Sequence, residues 1–416
     1  MIAGVRLHPL EVVMKATRRE FLGSASAAAL LTPSRAANPA ETGDDPLGVR
    51  GDFPVVEEGV YLNCAYIAPS PLPVVEAVRE FLGAKIRSPL SLGAMVDESH
   101  AARRKFARLV GAAESEVALL YSTSEGENLV ARSLGLRPGD NVVIDDLHFQ
   151  TTYVLYQHLA ETSGIEVRVV PSRGGAAPVD AFAEFIDDRT RLVSVAWVSN
   201  QNGYQQDLAG LAELAHDRGT YLYADAVQGI GMLDLDVKEA GIDFFTTGTY
   251  KWLLAGHGVA PFYVREELLD LVAPDRYGHL HVAEDLGDYQ YRLYDDARKY
   301  EYATLAFEAV YMLRAALDYL LRIGVKNIER HTVGLAHRLH EGLTAQGQAV
   351  LTPPGNRSSI VAFEHGRDAE MVRRALEEAR IKLSFRVGDT QLRVSPALFN
   401  NAAEIDALLA VTGAWA

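Results

Sequence analysis

The sequence predicts an α/β protein, with a large domain on a mostly parallel sheet and a smaller C-terminal α+β domain. Three observations carry that expectation. Seven short apolar runs recur at 117–121, 141–145, 166–170, 191–198, 221–224, 244–247 and 259–264. Helix-like stretches such as 152–161 and 207–218 separate them, and strands alternating with helices imply a parallel sheet covered on both faces. Past residue 304 the rhythm changes to two long helical stretches, 305–322 and 327–343, then short strands at 359–363 and 391–395 with a helix between. A chain of 416 residues is also long for one hydrophobic core.

Taken in chain order, residues 1–37 read as a twin-arginine export signal. Thr17-Arg18-Arg19-Glu20-Phe21-Leu22-Gly23 precedes a small, apolar stretch at 24–31, then Pro33-Ser34-Arg35-Ala36-Ala37 with a cleavage site after Ala36 or Ala37. The apolar stretch is too short to span a bilayer, so no stable membrane anchor is expected. The expectation is a periplasmic protein, or a cytoplasmic one if the signal does not function. Met14 stands just before the motif and is an alternative start to Met1. Residues 38–72 form a linker and N-terminal segment, 73–304 the large domain and 305–416 the small one. Within the large domain, Asp207 suits an N-cap and Gly219 a helix end.

Composition narrows the partners. At 48% hydrophobic and 23% charged residues the chain is ordinary globular protein, and its formal net charge of −15 repels phosphate backbones. Nucleic acid is not an expected partner. Cys64 is the only cysteine, which excludes an intrachain disulfide.

The chemistry starts with Asp225, which ends the apolar strand Tyr-Leu-Tyr-Ala-Asp; a carboxylate at a strand's carboxyl end in a cleft needs a cationic partner. Lys251 follows the next strand, between Tyr250 and Trp252, where partial desolvation favours the neutral amine that forms imines. Ser122-Thr123-Ser124-Glu125-Gly126 follows a strand and opens a helix, a ready site for phosphate. Phe149, or His148 in its place, follows another strand and can lie flat on a heterocycle. Asn200 and Gln228 follow strands too and can donate to a phenolate oxygen. The histidines do not suit a metal: His279 and His281 with Glu284 and Asp285 read as a solvated loop, and His331, His337 and His340 are poorly spaced for one ligand face. No metal is expected.

The order of these elements resembles the class V aminotransferases, a fold-type I group with pyridoxal 5'-phosphate as cofactor that includes cysteine desulfurases and isopenicillin N epimerase-like proteins. The resemblance runs from about Val60 to the C-terminus. It rests on Tyr61-Leu62-Asn63-Cys64-Ala65, Val198-Ser199-Asn200, Asp225-x-x-Gln228, Tyr250-Lys251-Trp252-Leu253, Lys299-Tyr300-Glu301-Tyr302-Ala303-Thr304 and Leu392-Arg393-Val394-Ser395-Pro396. It implies that Lys251 carries the cofactor as a Schiff base and moves the substrate proton, while Asp225 pairs with the pyridine nitrogen. It implies that Asn200 and Gln228 face the phenolate oxygen, and that Thr123 and Ser124 hold the phosphate, helped by Thr247 or Thr249. Thr304 falls where the family reaches a neighbouring subunit's phosphate, implying a homodimer with shared active sites. Arg393, with Arg386 as second candidate, would clamp a substrate carboxylate, and His279 lies in the expected substrate loop. Three positions depart from the pattern: Tyr250 replaces a His common before the lysine, Ala303 a Gly, and Ala397 a His.

The activity expected is transamination of an amino acid or amine. A β- or C–S lyase and an isopenicillin N epimerase-like epimerase are the alternatives, since all three share proton removal by Lys251. A non-catalytic ligand-binding protein on the same fold is the alternative of another class. Persulfide-forming desulfurase chemistry is not expected, because no cysteine follows position 64. Cys64 itself reads as a small buried side chain.

Overall fold

The computed structural model describes residues 45–415; the export signal and the choice between Met1 and Met14 lie outside the described residues. After a short helix, α1 (Val55–Glu58), and a two-residue strand, β1 (Val60–Tyr61), come two long helices, α2 (Leu72–Arg87) and α3 (Leu92–Val110). Pro73 sits in the first turn of α2, where its missing N–H is no loss. Ser91 caps α3 by accepting the Ala94 N–H, and Gly111 in the left-handed region ends it.

The large sheet holds β2 (Val117–Leu120), β3 (Asn141–Asp145), β4 (Glu166–Val170), β5 (Thr190–Ala196), β6 (Tyr221–Asp225), β7 (Phe244–Thr246) and β8 (Ala260–Val264). Their order is β2-β8-β7-β6-β5-β3-β4, all parallel except β8, which runs against both neighbours. The connecting helices are α4 (Thr123–Ser133), α5 (Gln150–Ser163), α6 (Val179–Ala183) and α7 (Leu208–His216). Successive residues of each strand feed opposite cores. Val143, Val193, Leu222 and Phe245 join one buried cluster, and Val142, Leu192, Tyr223 and Phe244 the other. Burial on both faces is why these strands read as unbroken apolar runs rather than alternating ones.

Two regions differ from expectation. The stretch around His279 is followed by a hairpin, β9 (Val282–Gly287) and β10 (Gln290–Leu293). Its two-residue turn puts both Asp288 and Tyr289 at positive φ, the geometry of a mirror-image hairpin turn, without the glycine that usually signals one. The second difference concerns α8 (Phe307–Ile323), which the sequence assigns to the small domain. Its buried residues Val310, Leu313, Leu317 and Leu320 belong to the large domain's core, against α2 and α3.

The small unit's own core draws instead on α9 (Val325–Ala345), α10 (Ala369–Glu378), α11 (Ala402–Gly413) and the antiparallel strands β11 (Ala349–Val350), β12 (Val361–Glu364), β14 (Ser384–Arg386) and β15 (Gln391–Val394). The sheet order is β11-β12-β15-β14, and the two-residue β13 (Ile381–Lys382) pairs in parallel with β1. The N-terminal segment is thereby stitched to the C-terminal unit, with Leu62 buried in that core. Among the described residues no helix is long and apolar enough to cross a membrane.

Candidate active site

The carboxyl ends of β5, β6 and β7, with the start of α4 and the approach to α5, enclose a cavity lined by Thr123, Phe149, Ala196, Val198, Asn200, Asp225, Val227, Gln228, Tyr250 and Lys251. A crevice beyond the strand ends is where an α/β sheet of this kind binds ligands. The sequence-derived candidates Thr123, Phe149, Asn200, Asp225, Gln228 and Lys251, spread over more than 120 residues of chain, meet there.

Asp225 ends β6, and its Oδ1 accepts the Val227 N–H at 3.0 Å. Burial raises its carboxyl above the usual range, opposed by that backbone bond and by the Lys251 ammonium. Lys251 is buried in the loop after β7, its Nζ 5.6 Å from the centroid of the Tyr250 ring. Desolvation lowers its amine to about 8, with Arg393 and Arg386 pushing the same way and Asp225 resisting. The loop is tightly made: the Leu254 N–H donates to the Lys251 carbonyl at 2.8 Å, and Leu254 takes a positive φ of 59°.

Tyr250 stacks on His257, ring centroids 4.2 Å apart and 14° from parallel. Gln228 lines the cavity with its amide held at both ends. Its Nε2 donates to the Ala65 carbonyl at 2.9 Å and its Oε1 accepts the Trp252 indole N–H at 2.8 Å.

Phe149 and His148 are placed differently. Phe149 is 41% exposed and lines the cavity, whereas the His148 ring is 1% exposed and turned into the protein. Its Nε2 lies 3.2 Å from Ser194 Oγ and 3.3 Å from Thr152 Oγ1. The aromatic face offered to a planar ligand is therefore that of Phe149. Thr123 reaches the cavity, while Ser124 opens on a neighbouring surface depression beside Arg276 and Tyr302.

Thr247 and Thr249, the helpers expected for phosphate, are not brought to the cavity. Both are fully buried, with Thr247 Oγ1 donating to the Ala226 carbonyl and Thr249 Oγ1 to the Gly256 and Val259 carbonyls. These bonds close the turn that presents Lys251, so neither hydroxyl proton is free.

Arg393 is 2% exposed and does not line the cavity itself; it lies behind the lining residue Asn200. Its Nη1 donates to the Asn200 carbonyl at 2.7 Å and its Nε has no partner. A buried guanidinium N–H left unpaired is costly unless a ligand completes it. Burial and neighbouring Arg386 lower its guanidinium to about 9. Arg386 is half-buried, and burial lowers it too. Ser384 joins the pair, 3.4 Å from Arg393 Nη2 and donating to Asn63 Oδ1.

His279 is exposed and outside the cavity; its neighbour His281 is buried, accepting the Gly278 N–H and meeting the Lys299 carbonyl. Thr304 is exposed on the segment beside the start of α4, its carbonyl accepting the Tyr121 hydroxyl at 2.7 Å. Among the described residues no three His, Cys, Asp or Glu side chains group as metal ligands.

The donor set fits pyridoxal phosphate. A partly neutral amine and a buried carboxylate at a strand end share a cavity with an aromatic face. A helix N-terminus supplies N–H groups for an anion, and behind Asn200 a buried guanidinium carries an unpartnered N–H.

The comparisons agree. The family model described as Aminotransferase class-V matches residues 60–408. A probable cysteine desulfurase of Methanothermobacter thermautotrophicus is 31% identical over 342 residues, covering 79% of this chain and 84% of its own. An uncharacterized aminotransferase of Bacillus subtilis is 30% identical over 354 residues, covering 85% of this chain and 93% of its own. Among solved structures, the apo cysteine desulfurase of Thermococcus onnurineus superposes with a TM-score of 0.79 at 26% identity, covering 89% of this chain and 98% of that one.

Proposed function

The chain belongs to the class V aminotransferases, enzymes dependent on pyridoxal 5'-phosphate, and from that premise we propose that it is a β-eliminating C–S lyase. It would cleave the Cβ–S bond of a sulfur-bearing amino acid and release the sulfur fragment directly. The sequence alone favours transamination; similarity to cysteine desulfurases supports the lyase alternative instead. One observation gives the proposal its particular form. The only thiol is Cys64, which is fully buried, and desolvation pushes it far above the usual thiol range. A protein without a reactive thiol has nowhere to store sulfur as a persulfide.

When bound, pyridoxal phosphate supplies an aldehyde carbon that joins amines and a ring that takes up electrons. The protein's residues do the rest. Arg393 binds the substrate carboxylate through its unpaired Nε and remaining Nη protons, with Arg386 beside it. Lys251, poised between protonation states near neutral pH, takes the α-proton at Nζ. Asp225 keeps a compensating negative charge at the cavity floor, and Phe149 covers one face. Loss of the α-proton and departure of the β-sulfur with its bonding pair balance without an oxidant. The unsaturated amine left behind takes up water to give a keto acid and ammonia.

Thr304, exposed near the start of α4, supports a homodimer in which each copy completes the other's phosphate site. The twin-arginine pattern at 17–23 supports export to the periplasm. Both belong to the same proposal.

The test is to incubate the holoenzyme with cysteine, cystine and S-alkyl cysteines and to quantify keto acid and released thiol, alongside Cys64→Ala. Equal release by both proteins supports the lyase. A protein-bound persulfide lost in Cys64→Ala, or amino transfer to a keto acid with no thiol released, overturns it.

A further inference from the structure

Beneath the cavity floor lies a polar layer that the chemistry above does not use. Ala196 and Asp225 line the cavity at the ends of β5 and β6. Two residues earlier on the same strands, and so on the same sheet face, stand Ser194 and Tyr223. Both are buried, and the Tyr223 hydroxyl donates to Thr246 Oγ1 at 2.9 Å. Glu127 enters this layer from the second turn of α4, a carboxylate 5% exposed with no cation paired to it among the described residues. A buried carboxylate is retained at a cost of several kcal/mol in general unless hydroxyls or N–H groups satisfy it.

Its partners are all neutral. Ser194 Oγ donates to Glu127 Oε1 at 2.7 Å, and Thr152 Oγ1 donates to Oε2 at 3.0 Å. With both hydroxyl protons committed to the carboxylate, their oxygens can only accept. His148 Nε2 lies within 3.3 Å of both and must be the donor. Its Nδ1 is then the bare nitrogen, and it accepts the backbone N–H of Phe149 at 2.7 Å. Every donor faces an acceptor along the run Phe149 N–H, His148, Ser194 or Thr152, Glu127. It joins α4, whose N-terminus faces the cavity, to the residue that offers its aromatic face there.

We infer that Glu127 is the positioning residue of this site, fixing His148 in its Nε2–H tautomer and thereby the backbone that presents Phe149. Burial and the Asp225 charge raise the carboxyl and the Ser194, Thr152 and Tyr156 hydroxyls pull it back, leaving it at about 7, so the ionised form that receives the hydroxyl protons holds above that pH; burial lowers His148 to about 3 and keeps the ring neutral. A glutamine has the same shape but no charge, and it puts an NH2 donor where Oε2 stands, 3.0 Å from Thr152 Oγ1. Its one oxygen can still receive from Ser194 and, at the longer 3.2 Å reach, from Thr152, but the new donor competes with His148 Nε2–H for the Thr152 oxygen. The inference rests on the class V reading of the cavity.

The experiment uses full-length protein labelled with nitrogen-15 in histidine, comparing wild type, Glu127→Gln and Ser194→Ala, with His148→Asn to assign the signal. Above about pH 8, where Glu127 is ionised, wild type should show His148 as a neutral ring protonated at Nε2. Glu127→Gln should shift both ring nitrogens and weaken pyridoxal phosphate binding to the apoprotein about tenfold, as loss of one buried charged hydrogen bond would. Ser194→Ala, which leaves Thr152 in place, should do less. A wild-type ring protonated at Nδ1, or a Glu127→Gln protein with unchanged His148 nitrogens, overturns the inference. A wild type that binds no pyridoxal phosphate would sink the class V reading of the cavity instead, and the nitrogen shifts would still report on the network.

Discussion

The proton affinity of Lys251 can be tested before any turnover is measured. An amine at about 8 is roughly one-quarter neutral at pH 7.5, against about one part in a thousand for an ordinary lysine at 10.5. Burial therefore raises the population of reactive amine by about two orders of magnitude. Two substitutions should move this balance in opposite directions. Asp225→Asn removes the one carboxylate that favours the ammonium, so the midpoint should fall below 8. Arg393→Gln removes a cation that disfavours it, so the midpoint should rise. The assay is carbon-13 NMR of reductively methylated apoprotein across pH 6–11, with the Lys251 signal identified by its loss in Lys251→Ala. Because the neutral form is the one that attacks, covalent uptake of pyridoxal phosphate should increase as pH rises through about 8. A wild-type midpoint near 10, or two variants shifting in the same direction, would show that desolvation and the Asp225–Arg393 opposition do not govern this lysine.

Holoprotein should absorb near the visible edge, borohydride should fix that chromophore covalently, and Lys251→Ala should lose it; a chromophore that survives the substitution places the attachment elsewhere. Arg393→Lys keeps a charge but not the two-pronged geometry, and kcat/KM for the amino acid substrate should drop about 10- to 100-fold with little change in Tm. Gly126→Ala would bring a Cβ to 2.2 Å from Thr246 Oγ1 and 3.1 Å from Phe262, forcing α4 off the sheet at about 1–3 kcal/mol, visible as a lower Tm. Replacing Arg18 and Arg19 by lysine should hold the protein in the cytoplasm on fractionation if the export reading is right; unchanged distribution would refute it.

The parts of the fold legible in the sequence are those where burial leaves one chemical option. Strands β2, β3, β5 and β8 are buried at every residue or nearly so, and only continuous apolar runs satisfy that. The hairpin of β9 and β10 is largely exposed, so no alternation marks it, and its Asp288-Tyr289 turn hides a left-handed geometry behind residues that do not announce it. The placement of α8 is illegible for another reason. An amphipathic stripe shows that a helix packs, but not against which core, and α2 and α3 supply a partner that its position after residue 304 does not reveal.

The same distinction separates the two layers of the site. Asp225, Lys251, Thr123, Phe149 and Asn200 stand out because a polar or aromatic residue at the end of an apolar strand is conspicuous, and topology brings strand ends together; Arg393, inside β15, is marked only by the family motif. Thr247 and Thr249 satisfy the same criterion, yet their hydroxyls close backbone turns instead, a competition that short polar side chains near loops commonly win. Glu127 fails the criterion from the other side. Within Glu-Gly-Glu-Asn on a helix it has the look of a solvated charge, and only the sheet's geometry turns it toward Ser194. Tyr250 shows why the lower layer matters to the upper one. It departs from the family's usual histidine and stacks on His257, so one wall of the cavity is of this chain's own making. Most of the side chains that line the cavity sit at or just past a strand end, a position that the apolar run before them marks. Side chains that hold those in place carry no such mark. Only the run of donors and acceptors through the folded core picks them out, and here that run ends on Glu127.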